Sequence, residues 1–365
     1  MTDGQHGDWR DEFDASISEM WNEALRKGAS PALLEDAKRE AARKSGRPIA
    51  EDLAQQAHEA RHDLDDALER ARDVIDSRWG EALDLFAAVH ASSYDFFADY
   101  HARRANESDS QYDDAFWVLA GLMARAVRTA QEVYVLLRAG FPAGALTRAR
   151  TLHELAVIAY AIGTNRNTDV AKRYVDHDDV ETYRRMSAYQ EDAPELGYPL
   201  FSEADVASAK RANDAARNRH GRGFSGKYGW AVPLFEDNVN PRLEDLEDKL
   251  GMSLMRSWKK WADHEVHATS HGSTLNLVEA DDNRYRITGP VSTGFADPAQ
   301  VALIALVQTL TAAVVYGSPA ELRATDRTLL HSISQLQERA LDAFAEIERD
   351  DQEQPGDTHG VQDRD

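Results

Sequence analysis

The sequence predicts an all-α fold, a multi-helix bundle around a central helical hairpin. Apolar residues recur at helical spacing along most of the chain, glycine and proline punctuate the stretches between, and strand-type alternation is confined to one short segment. With 365 residues, 42% apolar and 29% charged, and a mean hydropathy of -0.58, the composition is that of a large globular domain with appendages.

Residues 8–27 and 31–45 read as short peripheral helices, the second opened by Ser30 as N-cap with Pro31 at the first helical position. A long helix is expected over 51–104, with Leu64, Leu68, Ala71, Ile75, Trp79, Leu83 and Phe86 at steps of four and three forming one apolar stripe. The stripe continues through Tyr94, Phe97 and Tyr100, and Gly80 is a place where the helix could kink. The core hairpin spans 111–163, turning at Gly140 and Pro142. Its second arm, AGALTRARTLHELAVIAYAIG, is apolar on nearly every side and so belongs at the centre of the bundle. Helices at 168–190 and 202–219 flank a proline-bearing connection.

The glycine- and aromatic-rich stretch 220–241 has no helical period and is read as a long loop. It is either a lid or irregular packing of Phe224, Tyr228 and Trp230 against the bundle. A helix over 242–271, one β-hairpin within 274–290, helices at 297–316 and 319–349 that close the bundle, and an acidic disordered tail at 350–365 complete the chain. In domain terms, 1–50 is peripheral, 51–349 is the bundle and 350–365 the tail.

The chain has no cysteine, which excludes disulfides, thiolate catalysis and cysteine metal sites. Forty-two Lys and Arg against 64 Asp and Glu give a net charge of -22, which repels a nucleic-acid backbone and argues against DNA as a partner. The opening residues lack a signal sequence and no uninterrupted apolar run reaches the length of a membrane span, so a cytoplasmic location without membrane contact is expected. Against the acidic background, residues 116–160 carry Arg125, Arg128, Arg138, Arg148 and Arg150 but only Glu132 and Glu154. These arginines either pair with carboxylates of other helices or line a pocket for a small anion.

Arg148, Arg150, His153 and Glu154 cluster within two turns of the apolar arm 143–163. Unpaired burial would cost several kcal/mol each, so the cluster must face carboxylates, water, a ligand or a partner. The hairpin ending LLRAGFPAGALTRARTLHELAVIAYAIG, the following RYVDHDDVETYRR and the later HATSHG resemble the bacterial helical family labelled domain of unknown function 5677, over about residues 79–280. That resemblance implies a helical fold and no established reaction. It rests on Arg150 and Glu154 after the glycine turn, followed by the polar helix with Tyr174, and Arg148, Arg150, Glu154 and Tyr174 are therefore the candidate ligand-binding residues.

Two further patterns suggest chemistry. Arg148 and His153 have the Arg-x4-His spacing, which is similar to the motif of the HEPN ribonucleases. In such a site His153 would act as general base on a ribose hydroxyl and Arg148 would stabilise the phosphorane without a metal, with RNA as partner and two copies meeting in a dimer. Ala149 departs from that pattern, which normally carries a polar residue there. In HEVHATSH, His264, His267 and His271 share a helical face, so His267 and His271 with an outside carboxylate could hold zinc or manganese in a hydrolase, or His271 could cap a helix end. The spacing is not HExxH, and neither a phosphate loop nor a dinucleotide fingerprint is present. The function expected is thus a regulatory module that binds a small anionic ligand or protein partner without a cofactor, in a bacterial stress or phage-defence setting. The ribonuclease and the metal-dependent hydrolase are the alternatives.

Overall fold

The computed structural model of the chain describes residues 7–106, 113–166, 168–258, 260, 262, 277–280, 283–286, 288–316 and 322–353. It is an all-α bundle with one two-stranded hairpin, and its chain divides into two compact units, Met1–Arg70 and Ala71–Asp365.

The first unit holds α1 (Gly7–Arg26), α2 (Pro31–Gln55) and the opening turns of α3 (Ala57–Ala105). Ser30 caps α2 as expected, its hydroxyl accepting from the Leu33 amide at 3.3 Å ahead of Pro31. Helix α2 then continues through Gly46 and Pro48 to Gln55, beyond the break expected near 45. The α1 and α2 faces meet around buried Leu34, and the Lys38 ammonium lies 3.5 Å from the Trp21 ring centre.

In the second unit, the apolar stripe of α3 is buried from Ile75 through Trp79, Leu83 and Phe86 to Phe97 and Tyr100, whereas Tyr94 is exposed, as is Leu64 of the first unit. Helix α3 passes through Gly80 without ending. Trp79 is fully enclosed. It stacks on Phe295 and Phe344 at 5.1 and 5.8 Å and donates its indole N–H to the Ser292 carbonyl at 2.8 Å, so its one polar atom is satisfied.

The core hairpin is α4 (Asp114–Arg138) and α5 (Pro142–Gly163). Asp113 caps α4 by accepting from the Phe116 amide at 3.0 Å. Gly140 makes the turn for two reasons: its φ is +80°, and a Cβ there would lie 2.6 Å from the Pro290 side chain. Alanines 145, 149, 156, 159 and 161 leave room for α5 to be packed from several sides at once. It is covered by α4, by α8 (Leu243–Leu250) and by α9 (Ala296–Thr311), which runs on into a π turn over Ala312–Tyr316. Helix α10 (Ala324–Glu353) packs on α9 and reaches past the expected start of the tail. The stretch Ala296–Tyr316 is long and apolar enough to cross a membrane by length and composition, and 67% of its apolar 18-residue window is buried inside the bundle.

Helices α6 (Val170–Leu196) and α7 (Glu203–His220) pack on each other and form the polar side of the unit, with α6 also touching α4. The single helix expected over 242–271 is corrected: α8 ends at Leu250 because Gly251 adopts φ +70°, and a short 3-10 turn, Ser253–Met255, follows. The expected hairpin is present as antiparallel β1 (Leu277–Ala280) and β2 (Asn283–Arg286), with Leu277 opposite Arg286 and Ala280 opposite Asn283.

Candidate functional site

The four ionisable side chains of α5 go to different places. Arg148 is half-buried and forms an ion pair with Glu132 on α4. His153, 1% exposed, points toward α8, where its Nε2 lies 3.2 Å from Glu247 Oε1. The other Glu247 oxygen accepts from Arg256 Nε at 2.9 Å, so this carboxylate is enclosed between two donors. His153 Nδ1 is buried without a hydrogen-bond partner among the described residues. Arg148 and His153 therefore engage separate carboxylates on separate helices. Glu154 points toward α6, and the positive charge of Arg150 acts on it.

On that face α5, α4, α6 and the 220–241 segment line a cavity of about 300 Å³ that opens to solvent, with Arg125 exposed on its wall. Its walls include Arg125, Glu154, Ile158, Tyr174, Tyr228 and Trp230. Of the residues singled out from sequence, Glu154 and Tyr174 meet here, whereas Arg148 and His153 do not line it.

The segment 220–241 is bound down by α6 rather than hanging free. Arg173 donates to the Trp230 and Gly229 carbonyls at 3.1 and 3.4 Å, His177 Nε2 donates to Gly226 O at 2.8 Å, and Arg184 donates to Ser225 O at 2.7 Å. Phe224, Tyr228 and Trp230 are buried beneath it, the packing arrangement of the two weighed from sequence. A Cβ on Gly223, whose φ is +84°, would meet the Val239 carbonyl oxygen at 2.1 Å, so the turn that carries these aromatics requires glycine.

A buried polar knot anchors the other side of that segment. Asp176 accepts from Arg219 at 2.6 Å and from His220 Nε2 at 2.8 Å, and pairs with Lys172. His220 Nδ1 lies 3.1 Å from Arg173 Nη1, and a guanidinium can only donate, so this histidine carries its proton on Nε2. Burial alone would raise Asp176, but the bonds from Lys172, His220 and Arg219 outweigh it and hold the carboxyl at about 2.

The charges in the cavity are unequally engaged. Glu154 accepts a 2.5 Å bond from the Tyr228 hydroxyl and an ion pair from Lys227 at 3.2 Å. Burial would raise its pKa, yet these donors hold it below its ordinary value, while burial and the same carboxylate push the Tyr228 phenol up. Asp178 and Glu181, at the rim, pair with Arg185 and Arg184. By contrast, among the described residues neither the Arg125 guanidinium nor the Tyr174 hydroxyl has a hydrogen-bond or ion-pair partner, although Tyr174 is half-buried with its ring edge-on to Trp230 at 5.2 Å. Burial pushes the Tyr174 phenol up, so it stays a neutral donor. The arrangement thus presents two unused donors beside an aromatic wall. Arg125 is among the arginines for which the sequence left a small-anion pocket open, one of the few cations on an otherwise apolar helix, whereas Tyr228 was read only as part of the 220–241 segment.

His267 and His271 lie outside the described residues, and so does the metal site expected from them. Among the described residues no group of three or more His, Asp or Glu is placed to hold a metal ion.

Fold and site together define a helical-bundle domain with a small polar cavity on the flank of its central hairpin. Residues 116–285, which contain nearly all of that hairpin and every wall of the cavity, match the model described as "Family of unknown function (DUF5677)". No curated protein and no solved structure matches the chain.

Proposed function

We propose that the domain is a non-enzymatic module that binds a small anion-bearing molecule in the cavity between α4, α5, α6 and the 220–241 segment. Two unengaged donors, Arg125 and Tyr174, at the edge of a cavity whose carboxylates are already paired, carry this reading. A ligand carboxylate or phosphate would take the guanidinium and phenol donors, and its apolar body would lie against Ile158 and Trp230. At about 300 Å³ the cavity suits a single-ring metabolite and lies at the small end of ligand sites. The setting we propose is the bacterial cytoplasm, in stress or phage defence; this part rests on analogy among helical modules.

Calorimetric titration of the full chain with benzoate, 4-hydroxyphenylacetate and inorganic phosphate tests the proposal. Binding of one of these should weaken about tenfold or more in Arg125→Gln and several-fold in Tyr174→Phe, with the circular dichroism of both variants unchanged. Binding untouched by either substitution would overturn it. Cleavage of an RNA pool in EDTA, abolished in His153→Ala, would overturn it in favour of the metal-independent ribonuclease.

A further inference from the structure

The connection between α6 and α7 exposes four large apolar side chains within six residues. Leu196, Tyr198, Leu200 and Phe201 are 62%, 57%, 56% and 43% exposed. Single exposed apolar residues are ordinary, but a contiguous set on one protrusion is not.

This protrusion is also held in shape. Helix α6 ends at Gly197 in the left-handed conformation, with the Tyr198 amide bonded back to Ala193 O at 3.0 Å. The Gln190 side chain clamps Phe201 at both backbone atoms, accepting from its N–H at 2.8 Å and donating to its carbonyl at 3.4 Å. The Tyr189 hydroxyl donates to Pro199 O at 2.9 Å, and its ring packs on Phe201 at 5.0 Å. Ser202 then caps α7 through the Asp205 amide at 3.1 Å. A segment so tied has lost its backbone freedom before any partner arrives, which lowers the entropic cost of docking.

Its surroundings specify the partner's charge. Glu191, Asp192, Glu195, Glu203 and Asp205 flank the apolar side chains, and no Lys or Arg occurs between Arg185 and Lys210. Among the described residues, Glu191, Asp192, Glu195 and Glu203 have no ion-pair partner. A second copy of this acidic chain would bring like charges together, and an anionic lipid surface would be repelled. We infer that this knob is the docking point for a protein partner presenting an apolar surface rimmed by lysine or arginine.

The test uses the full chain and a labelled synthetic amphipathic helix of leucine and lysine, about 18 residues long so that it folds on binding. Its control replaces the leucines by serine at the same charge. Anisotropy titrations should show the leucine peptide binding wild type at least about tenfold more tightly than the serine peptide, with that advantage lost in Leu200→Ser/Phe201→Ser. The variant Leu196→Ser, outside the Gln190 clamp, should lose part of it, and helicity should be unchanged in both. Equal binding of the two peptides, or equal binding by wild type and the double variant, would overturn the inference. Self-association abolished by the double variant would overturn it in favour of a second copy, and vesicle binding in favour of a lipid surface. Arg125→Gln should leave peptide binding intact, which separates this surface from the proposed ligand cavity.

Discussion

Asp176 illustrates how a single carboxylate can tie two helices together, pairing with Lys172 on α6 and with Arg219 and His220 on α7. Its folded value of about 2 lies below the ordinary 3.8, so the sign of its contribution is defined. The stabilisation is present in full above about pH 4 and is lost as pH falls from there through about 2. A shift of this size corresponds to about 2 kcal/mol, and Asp176→Asn should cost roughly that at neutral pH. Urea unfolding at several pH values checks it: the gap between wild type and variant should close toward pH 2, and a gap independent of pH would show that the carboxylate's charge is not what matters. Glu154 has the same sign through a different route, since the Tyr228 hydroxyl and Lys227 outweigh its burial. At this scale the sequence was informative about the need for partners but not about their identity. Spacing put Arg148 and His153 within reach of one ligand, whereas the fold sends one to Glu132 and the other to Glu247. Those carboxylates are 16 and 94 positions away along the chain, and nothing local announces them.

At the scale of elements, the 220–241 segment behaves as a wall built by α6. Four of its carbonyls, at Ser225, Gly226, Gly229 and Trp230, are taken by side chains of that one helix, so the segment and the cavity it closes depend on a turn that only glycine can make. Gly223→Ala should therefore destabilise the protein by about 2 kcal/mol or more, from left-handed backbone strain together with the clash on Val239 O. Gly251→Ala, at a left-handed φ of +70° with open space at Cβ, should cost less. Thermal melts of the two variants, with ligand titration beside them, decide it; equal losses would remove the proposed close approach. Helices were read well from sequence where periodicity and punctuation agreed, as at the Ser30 cap, the Gly140 turn and the single hairpin. They were misread where a break depends on one residue's backbone state. Gly251 looks like an interior glycine in a helical stretch until its φ of +70° ends α8, and Gly46 and Pro48 look like a break but lie within α2.

For the molecule as a whole, a chain of net charge -22 keeps a set of cations on its central hairpin and sets most of them against carboxylates: Arg128 and Arg148 against Glu132, and Arg138 against Asp76. The exception at the cavity is Arg125, with the Tyr174 hydroxyl beside it. Half of this was legible beforehand: the basic character of 116–160 follows from composition, and Glu154 and Tyr174, which meet at the cavity, are among the residues that carry the family resemblance. The rest was not, because Tyr228 and Trp230 reach the site at the start of a short 3-10 helix, Gly229–Leu234, whose place is set by tertiary hydrogen bonds to α6. On the proposed reading the cavity receives a small anion. A crystal structure of the full chain soaked in 4-hydroxyphenylacetate tests it most directly. The carboxylate is expected within hydrogen-bond distance of Arg125 and Tyr174 with the ring against Trp230; an occupied surface site elsewhere, or Arg125 turned away onto a carboxylate with the cavity holding only water, would refute that reading.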